Sequence, residues 1–400
     1  MSPKFLVRSV LAAALAAAAI AVPLAVSRTP TAPAPKQAQA QTQEKASPPQ
    51  AARPEIEVVF VLDTTGSMSG LIEGAKQKIF SIASRIATGK PTPRLKVGLV
   101  AYRDEGDDYV TKRFDLSEDL DTVFTNLRQF SADGGGDTPE HVGRGLGEAV
   151  SKMSWSSSRE TMKVIFLVGD APPAIREQEW DFKHWSKQAK EKHIVVNTVR
   201  CGEDEETATA WQFVAKLTDG TFDTIDQAGG MLAVATPYDA ELARVNAEIA
   251  SKTLYTGSAA VQAENRGRAE QMGAMAPEVA AERISYMKKA KGKVPGSAMP
   301  ASSAPMAVGG AMDLAAQPEG LAKVQEAELP AELKGLSKEA QVAKVTQLAE
   351  ERRVLEAQAS KLAAERDSWR VKNVAEKSDS FDDNVMKSVR TQAASFGVAY

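Results

Sequence analysis

The sequence contains a single cysteine and only three histidines among its 400 residues. Because Cys201 is the only thiol, no disulfide can form within the chain. The histidines, His141, His184 and His193, have no spacing typical of a zinc-binding pair. A disulfide-stabilised fold and a histidine- or cysteine-based zinc centre are therefore both excluded as explanations of this chain.

An excess of one charge is also missing, since 49 basic residues stand against 52 acidic ones, for a net charge of −3. This balance excludes the basic surface that nucleic-acid binding needs. The signatures of several enzyme classes are absent too. There is no Ser-His-Asp order, no G-x-S-x-G motif, no P-loop lysine, and no G-x-G-x-x-G after the first apolar strand. We therefore expect neither a nucleic-acid-binding protein nor an enzyme.

The first 27 residues have the pattern of an export signal. Lys4 and Arg8 lie before an uncharged, apolar run from Val10 to Val26, and small residues around Ser27 suit cleavage. The length of this run leaves two alternatives open, a cleaved signal peptide and an uncleaved membrane anchor. Both predict that the rest of the protein lies in the periplasm or cell envelope.

Composition divides the remainder into five segments. Residues 28–54 are rich in Pro, Ala, Gln and Thr and are predicted to be a disordered linker. Residues 55–228 alternate strand and helix patterns, and residues 229–291 are helix-prone. Residues 292–329 are of low complexity and are predicted to be a second linker, before a long helix and a C-terminal helix in residues 330–400.

Apolar runs between residues 55 and 228 have strand length and alternate with amphipathic helical patterns. Ile56–Leu62, apart from Glu57, and Val164–Val168 are continuously apolar, as strands covered on both faces are. The pattern predicts an α/β fold, Rossmann-like, with three layers and a mainly parallel central sheet. An all-α extension is expected to follow it.

The long helix in the C-terminal part has an incomplete heptad pattern. One seam recurs every seven residues at Leu348, Leu355, Leu362 and Trp369. The companion seam contains two arginines, at Val345, Arg352, Ala359 and Arg366. This pattern favours packing against another helix over a long two-stranded coiled coil. The helix also offers a surface for oligomerisation.

Oxygen-bearing side chains follow the first apolar strand. Asp63, Thr65 and Ser67 alternate just past its carboxyl end, where open α/β sheets bind ligands. Two further loops provide Thr138, which follows three glycines, and Asp170, just past a second buried strand. Hydroxyl and carboxylate oxygens without His or Cys suit a hard cation such as Mg²⁺, and Mn²⁺ would fit nearly as well.

The order D-x-T-x-S, then Thr138, then Asp170 resembles the metal-ion-dependent adhesion site of von Willebrand factor type A domains. The resemblance implies that Thr65, Ser67 and Thr138 contact the metal directly or through water. It implies that Asp63 and Asp170 supply charge. It further implies that a protein partner completes the coordination with an Asp or Glu. The C-terminal half is similar to the helical extension of uncharacterised exported bacterial proteins of this type, which brings no known activity.

Other interpretations of the same residues remain open at this point. Ser67, Ser69 and Thr138 could be helix caps. A haloacid dehalogenase-type phosphatase also has an Asp after its first strand, but it needs a second Asp where Thr65 stands. The protein could be a scaffold whose C-terminal helices carry the interaction, or a hydrolase that uses the same metal. The acidic loop Arg103–Tyr109 fits a solvated turn or the rim of the metal face.

Overall fold

The computed structural model describes residues 53–136, 138–175, 178–227, 234–291, 303–373 and 381–400. The predicted signal or anchor at residues 1–27 lies outside the described residues, as does the predicted linker up to residue 52. No helix among the described residues combines the length and the apolar character that crossing a membrane requires.

The described residues contain six strands: β1 Glu55–Asp63, β2 Arg94–Tyr102, β3 Thr111–Ser117, β4 Met162–Gly169, β5 Val195–Cys201 and β6 Phe222–Ile225. They form one sheet in the order β3-β2-β1-β4-β5-β6. All neighbours are parallel except β2 and β3, which are antiparallel, so β3 is an antiparallel edge strand.

In the part of the chain that the structure describes, five helices are interleaved with these strands and five more follow them. The first group is α1 Ser69–Ile86, α2 Leu120–Leu127, α3 Val142–Lys152, α4 Phe182–Glu191 and α5 Glu205–Leu217. The second group is α6 Asp239–Ser251, α7 Ala259–Gly273, α8 Pro277–Lys291, α9 Lys338–Asn373 and α10 Phe381–Ala393. The predicted fold class is therefore confirmed: a three-layer α/β domain with a mainly parallel sheet, and an all-α extension.

The continuous apolar character of the central strands has a direct structural cause. Alternate residues of β1 enter different cores, because side chains in a strand point to opposite faces of the sheet. Val58 and Phe60 pack on the face covered by α1 and α2, whereas Val59 and Val61 pack on the face covered by α3. Both faces of β1 are thus covered, so every residue from Val58 to Leu62 is apolar and buried, and the next polar residue is Asp63.

Helix α10 completes the domain from the far end of the chain. Its buried residues Phe381, Val385 and Val389 belong to the same core as the α1 face of the sheet. Asp382 forms ion pairs with Lys78 and Arg85 of α1. The domain therefore depends on about 20 C-terminal residues that follow the helical extension in sequence.

The buried seam of α9 differs from the one that its leucines predict. Val345, Arg352, Ala359 and Arg366 are all buried, whereas in the leucine seam Leu355 is buried and Leu348 and Leu362 are only partly buried. The seam that contains two arginines is therefore the more completely buried one. It can be buried because each arginine meets a carboxylate: Arg352 lies 2.5 Å from Asp313, and Arg366 lies 2.6 Å from Asp239.

The segment predicted to be a linker at residues 292–329 is partly folded. Residues 292–302 lie outside the described residues, but Leu314 and Leu329 are buried against Leu254, Leu333 and Val345. Short 3₁₀ helices and turns satisfy the backbone in this segment. Low sequence complexity alone therefore does not predict an unfolded linker here, because a few buried leucines are enough to hold the segment against the rest of the fold.

Candidate metal site

The predicted site lies at the carboxyl edge of the sheet, where the strand order reverses. The chain moves from β1 to β2 on one side, while β4 lies on the other side of β1. Asp63 ends β1, and Asp170 directly follows β4. A crevice outside the carboxyl ends of two such strands is the common ligand site of open α/β sheets.

Asp63, Thr65 and Ser67 form one hydrogen-bonded chain. The Asp63 side chain is fully buried, and its Oδ1 accepts from the Thr65 backbone N–H at 2.9 Å and from the Thr65 hydroxyl at 2.7 Å. The Thr65 and Ser67 hydroxyl oxygens are 3.4 Å apart. The alternating spacing therefore brings three oxygen side chains together, as predicted.

None of the candidate hydroxyls caps a helix. The short 3₁₀ helix at Gly66–Met68 and helix α1 both begin without a side-chain cap hydrogen bond. Helix α3 begins after His141, also without such a bond. The helix-cap interpretation of Ser67, Ser69 and Thr138 is therefore wrong, and these hydroxyl groups are left for another role.

Asp170 approaches Asp63 because a glycine precedes it. A Cβ on Gly169 would lie 2.3 Å from the Tyr102 hydroxyl oxygen and 3.3 Å from Asp63 Oδ2, so only glycine fits between them. The Asp170 Oδ2 accepts a hydrogen bond from the Gln227 side chain, and its backbone carbonyl accepts one from the Thr207 hydroxyl at 3.3 Å.

Thr138 stands apart from the other four predicted residues. Its side chain is exposed. Among the described residues, its hydroxyl makes no hydrogen bond to Asp63, Thr65, Ser67 or Asp170. Its loop is nevertheless held at the site, since Gly66 donates a backbone hydrogen bond of 3.3 Å to the Gly134 carbonyl. Thr138 thus remains a predicted ligand at the edge of the cluster.

Glu140 is a buried acid at this edge that the motif does not contain. Only 2% of its surface is exposed. Its backbone N–H donates to the Pro172 carbonyl at 3.0 Å, and its carbonyl accepts from Ala174 N–H at 2.7 Å. These bonds fasten it to the loop that carries Asp170. The sequence signal was its place directly after Thr138-Pro139, but its burial depends on a pairing between loops that spacing does not predict.

The acidic loop Arg103–Tyr109 borders the site. Asp107 accepts the Gly135 backbone N–H at 3.2 Å on each of its oxygens. The Arg103 side chain is buried and donates to the backbone carbonyls of Thr64 at 3.0 Å and Ser131 at 2.8 Å. The loop therefore borders the candidate site, and its one arginine donates to backbone carbonyls.

The electrostatics of the site are those of crowded, buried acids. Burial raises the pKa of Asp63 to about 7, with the charge of Asp170 adding, against the lowering effect of the Thr65 hydrogen bonds. Burial is also the main cause that raises the pKa of Glu140 to about 8. The charges that add to this shift, in decreasing order, are those of Asp63, Asp104, Asp107 and Asp170.

Three buried carboxylate oxygens at the site have no hydrogen-bond partner among the described residues, one each on Asp63, Glu140 and Asp170. Buried charges are ordinarily paired or bound to a metal. Carboxylates and hydroxyls are also the donors that Mg²⁺ prefers. The residues present therefore fit a hard divalent cation. The described residues contain no group of three His, Cys, Asp or Glu side chains placed to hold a metal by themselves, so hydroxyl oxygens are needed to complete the site.

The family model of the von Willebrand factor A domain matches residues 57–236. This segment is a von Willebrand factor A domain. The match covers all six strands except the first two residues of β1, and it includes all five predicted site residues. No curated protein matches the chain.

Solved structures with similarity to the chain include the conserved hypothetical protein BatB from Bacteroides thetaiotaomicron, with 16% identity and a TM-score of 0.33 over 43% of this chain and 90% of that one. The pilus adhesin SpaC from Lactobacillus rhamnosus GG has 14% identity and a TM-score of 0.35 over 44% and 28%. Proximal thread matrix protein 1 from the mussel byssus, described with a zinc-occupied MIDAS motif, has 16% identity and a TM-score of 0.32 over 43% and 42%.

Proposed function

We propose that this von Willebrand factor A domain binds a protein partner through a divalent cation, Mg²⁺ under physiological conditions, with Mn²⁺ as a close substitute. Domains of this family typically act as adhesion or interaction modules. The observation that carries the proposal is the set of buried carboxylate oxygens of Asp63 and Asp170 without a hydrogen-bond partner among the described residues, beside the Thr65 and Ser67 hydroxyls, at the carboxyl edge of the sheet.

Each residue has a distinct role in the proposed mechanism. Thr65, Ser67 and Thr138 would offer neutral oxygens to the cation, directly or through water. Asp63 and Asp170 would supply negative charge. The bound cation supplies a Lewis-acidic position that an Asp or Glu of the partner completes. The hydrogen bonds of Thr65 to Asp63 hold this carboxylate in place before any ligand arrives, which lowers the cost of ordering the site.

The first test is a calorimetric titration of the full chain with Mg²⁺. The wild-type protein should bind one ion saturably, and Asp63→Ala combined with Thr138→Ala should abolish binding. A matched control is Asp367→Ala with Thr391→Ala, which changes the same residue types on α9 and α10. Absence of binding by folded wild-type protein, with Mg²⁺ and with Mn²⁺, would rule out this mechanism.

Partner binding needs a separate measurement. Immobilised protein should retain an envelope protein in Mg²⁺ and release it in EDTA. The Asp63→Ala, Thr138→Ala variant should not retain it under either condition. We place the protein in the periplasm or cell envelope on the basis of the export-like pattern at residues 1–27, either free or anchored there. Retention that persists in EDTA and in the variant would exclude a metal-mediated contact.

A second candidate function is a scaffold whose C-terminal helices carry the interaction and can oligomerise. It is favoured by apolar side chains exposed on α9, among them Val354 at 57% and Val371 at 86%. If this candidate is correct, Val354→Glu with Val371→Glu should abolish partner capture or self-association, and Asp63→Ala should leave both intact. The metal-mediated mechanism predicts the reverse result for these two variants.

A further inference from the structure

A pocket opens at the amino edge of the sheet, opposite the edge that carries the candidate metal site. Its volume is about 290 Å³, and it is lined by the end of α3, the loop that follows α3, the start of β4 and the segment between α4 and β5. Asp63 and Asp170 lie at the carboxyl ends of the strands. The pocket is therefore separate from the candidate metal site.

Lys163 is a buried cation that lines this pocket. It is the second residue of β4, and only 7% of its surface is exposed. Among the described residues, its ammonium group has neither a hydrogen bond nor an ion pair. Lysines are seldom buried without a partner, because removing an ammonium group from water is costly. Lys163 thus has the properties of a group whose partner is a ligand.

The acid beside Lys163 in the sheet, Glu57, is bonded to other groups. The two residues are in register on the neighbouring strands β1 and β4. The Glu57 Oε1 accepts from the Lys96 ammonium at 2.9 Å, and its Oε2 accepts from the Ser156 backbone N–H at 2.8 Å. Because Lys96 pairs with Glu57, the charge of Lys163 has no carboxylate within ion-pair distance in the described part of the chain.

The other polar groups of the pocket lining are also donors. The Lys192 ammonium donates to a backbone carbonyl of α3 at 3.0 Å and forms no ion pair with a described residue. Ser156 and Ser157 add two hydroxyls. The Ser156 Oγ accepts from the Ser158 backbone N–H and the Thr161 hydroxyl, both at 3.2 Å, so its own hydrogen is available to a ligand. Two cations and two hydroxyls therefore favour an anion.

The rest of the pocket wall is apolar. Val150, Met153 and Ile194 are buried. The Trp155 indole N–H donates to the Ala149 carbonyl at 2.8 Å, which holds the ring in place. Pockets for small molecules combine apolar walls with a few polar groups in this way, and their volumes are roughly 300–1,000 Å³. The pocket therefore suits a small ligand that has an apolar part as well as an anionic one.

We propose that this pocket binds a small organic phosphate, a phosphate monoester with a compact apolar group. A phosphate group of this kind carries a charge of about −1.5 to −2 at pH 7, which matches two ammonium groups better than the single charge of a carboxylate does. The serine hydroxyls would donate to its oxygens, and the apolar group would lie against Trp155. This inference does not rest on the proposed function, because the pocket shares no residue with the candidate metal site.

The test is a calorimetric titration of the full chain with phenyl phosphate, in EDTA and at fixed ionic strength. Wild type should bind it saturably. Lys163→Met retains most of the side chain but lacks the ammonium group, so its Kd should rise about tenfold or more. The matched control is Lys216→Met, which changes an exposed lysine of α5 and should leave the Kd unchanged. No binding by folded wild type, or equal Kd values in wild type and Lys163→Met, would overturn the inference.

Two simpler probes test the two parts of the ligand. Benzoate carries a single charge on the same ring, and inorganic phosphate lacks the ring, so each should bind more weakly than phenyl phosphate. Benzoate that binds as tightly as phenyl phosphate would contradict the assignment to a phosphate. Inorganic phosphate that binds as tightly would contradict the assignment of an apolar group.

A thermal melt distinguishes a ligand-binding lysine from a structural one. Without phosphate, Lys163→Met should melt at the same temperature as wild type or higher, because the substitution removes an unpaired buried charge. Phenyl phosphate should raise the melting temperature of wild type and of Lys216→Met, and should leave that of Lys163→Met unchanged. A lower melting temperature of Lys163→Met without phosphate would identify a structural role and contradict the proposal.

The Asp63→Ala variant separates this proposal from the metal-mediated mechanism. It changes the opposite edge of the sheet, so it should bind phenyl phosphate with the Kd of wild type even where it no longer binds Mg²⁺. Loss of phenyl phosphate binding in folded Asp63→Ala protein would place the phosphate at the other edge and overturn the inference.

Discussion

Two regions of this protein bury charged side chains, and the two regions differ in whether these charges have partners of opposite charge. In the helical extension, the buried arginines Arg283, Arg352 and Arg366 each meet a carboxylate. At the carboxyl edge of the sheet, the buried acids Asp63 and Glu140 meet other acids. Buried charges that meet an opposite charge are typical of structural contacts. Buried like charges without an opposite charge nearby indicate a site that is completed by a ligand.

The Arg283–Asp121 pair shows how complete the pairing is in the first region. Both side chains are 1% exposed, and the guanidinium donates to the two carboxylate oxygens at 2.6 Å each. Further hydrogen bonds of 2.8 Å reach Asn246 and the Ser303 carbonyl. Since Asp121 belongs to α2 and Arg283 to α8, this pair joins the extension to the α/β domain.

The largest effect on stability is expected from breaking that pair. Arg283→Met leaves Asp121 charged and unpaired in a buried position, which should lower the free energy of unfolding by about 3–5 kcal/mol. Urea denaturation measures this loss. Arg283→Met combined with Asp121→Leu should recover part of it, and a single variant as stable as wild type would show that the pairing contributes little.

At the candidate metal site, removal of a buried charge should not lower the free energy of unfolding. Asp63→Asn removes a repulsive buried charge and should leave the cation-free protein as stable as wild type or more so. Mg²⁺ at 100 times the wild-type Kd should add about 2.7 kcal/mol to the wild type and nothing to the variant. Denaturation curves in EDTA and in Mg²⁺ provide the comparison. Strong destabilisation of the variant in EDTA would mean that this acid is structural.

The buried acids of the candidate site should make the stability of the protein depend on pH between about 4 and about 8. Carboxyls with raised pKa values bind more protons in the folded than in the unfolded protein, so the free energy of unfolding should fall as pH rises from about 4 to about 8. Mg²⁺ competes with these protons and should stabilise the protein more at pH 8 than at pH 5. Melting temperatures from pH 5 to 8, with EDTA and with Mg²⁺, measure both effects.

The double variant Asp63→Asn, Glu140→Gln is the control for that series. It lacks the two carboxyls with raised pKa values, so its melting temperature in EDTA should vary less with pH than that of wild type. An equal slope in both proteins would assign the pH dependence to other groups.

The smallest effect is expected for a paired charge on the surface. Arg353 lies 2.6 Å from Glu350, but both side chains are more than half exposed, at 54% and 59%. Solvent screens such a pair, so Arg353→Met should change the free energy of unfolding far less than Arg283→Met does. Urea denaturation of Arg353→Met and Arg283→Met side by side compares the stability that an exposed and a buried ion pair contribute. Equal losses in the free energy of unfolding would show that burial does not control this contribution.

The arginine seam of α9 shows why the sequence alone could not predict the extension. When the helix is considered by itself, Arg352 and Arg366 predict that their seam is exposed, because burial of an unpaired guanidinium in a core is costly. Their partners Asp313 and Asp239 are far away in sequence and become neighbours only after folding. The heptad pattern therefore predicted the helix and its packing against other helices, but not that the seam with two arginines would be the more completely buried one.

More of the candidate metal site than of the helical extension could be predicted from the sequence. Asp63, Thr65 and Ser67 are consecutive alternate residues at the end of a strand, so local geometry alone brings their oxygens together. Asp170 could be placed because the carboxyl ends of parallel strands share one edge. Glu140 could not, since its burial depends on backbone bonds to residues more than 30 positions away.

The sequence by itself determined the strand pattern, the fold class and the motif at the end of β1, because each depends on spacing over a few residues. The tertiary structure alone decided which charges are paired. It brought Arg283 to Asp121 and Arg366 to Asp239, and it brought Glu140 to other acids. The physical reason is that electrostatic energies depend on distance and burial in three dimensions, and neither quantity can be obtained from separation along the chain.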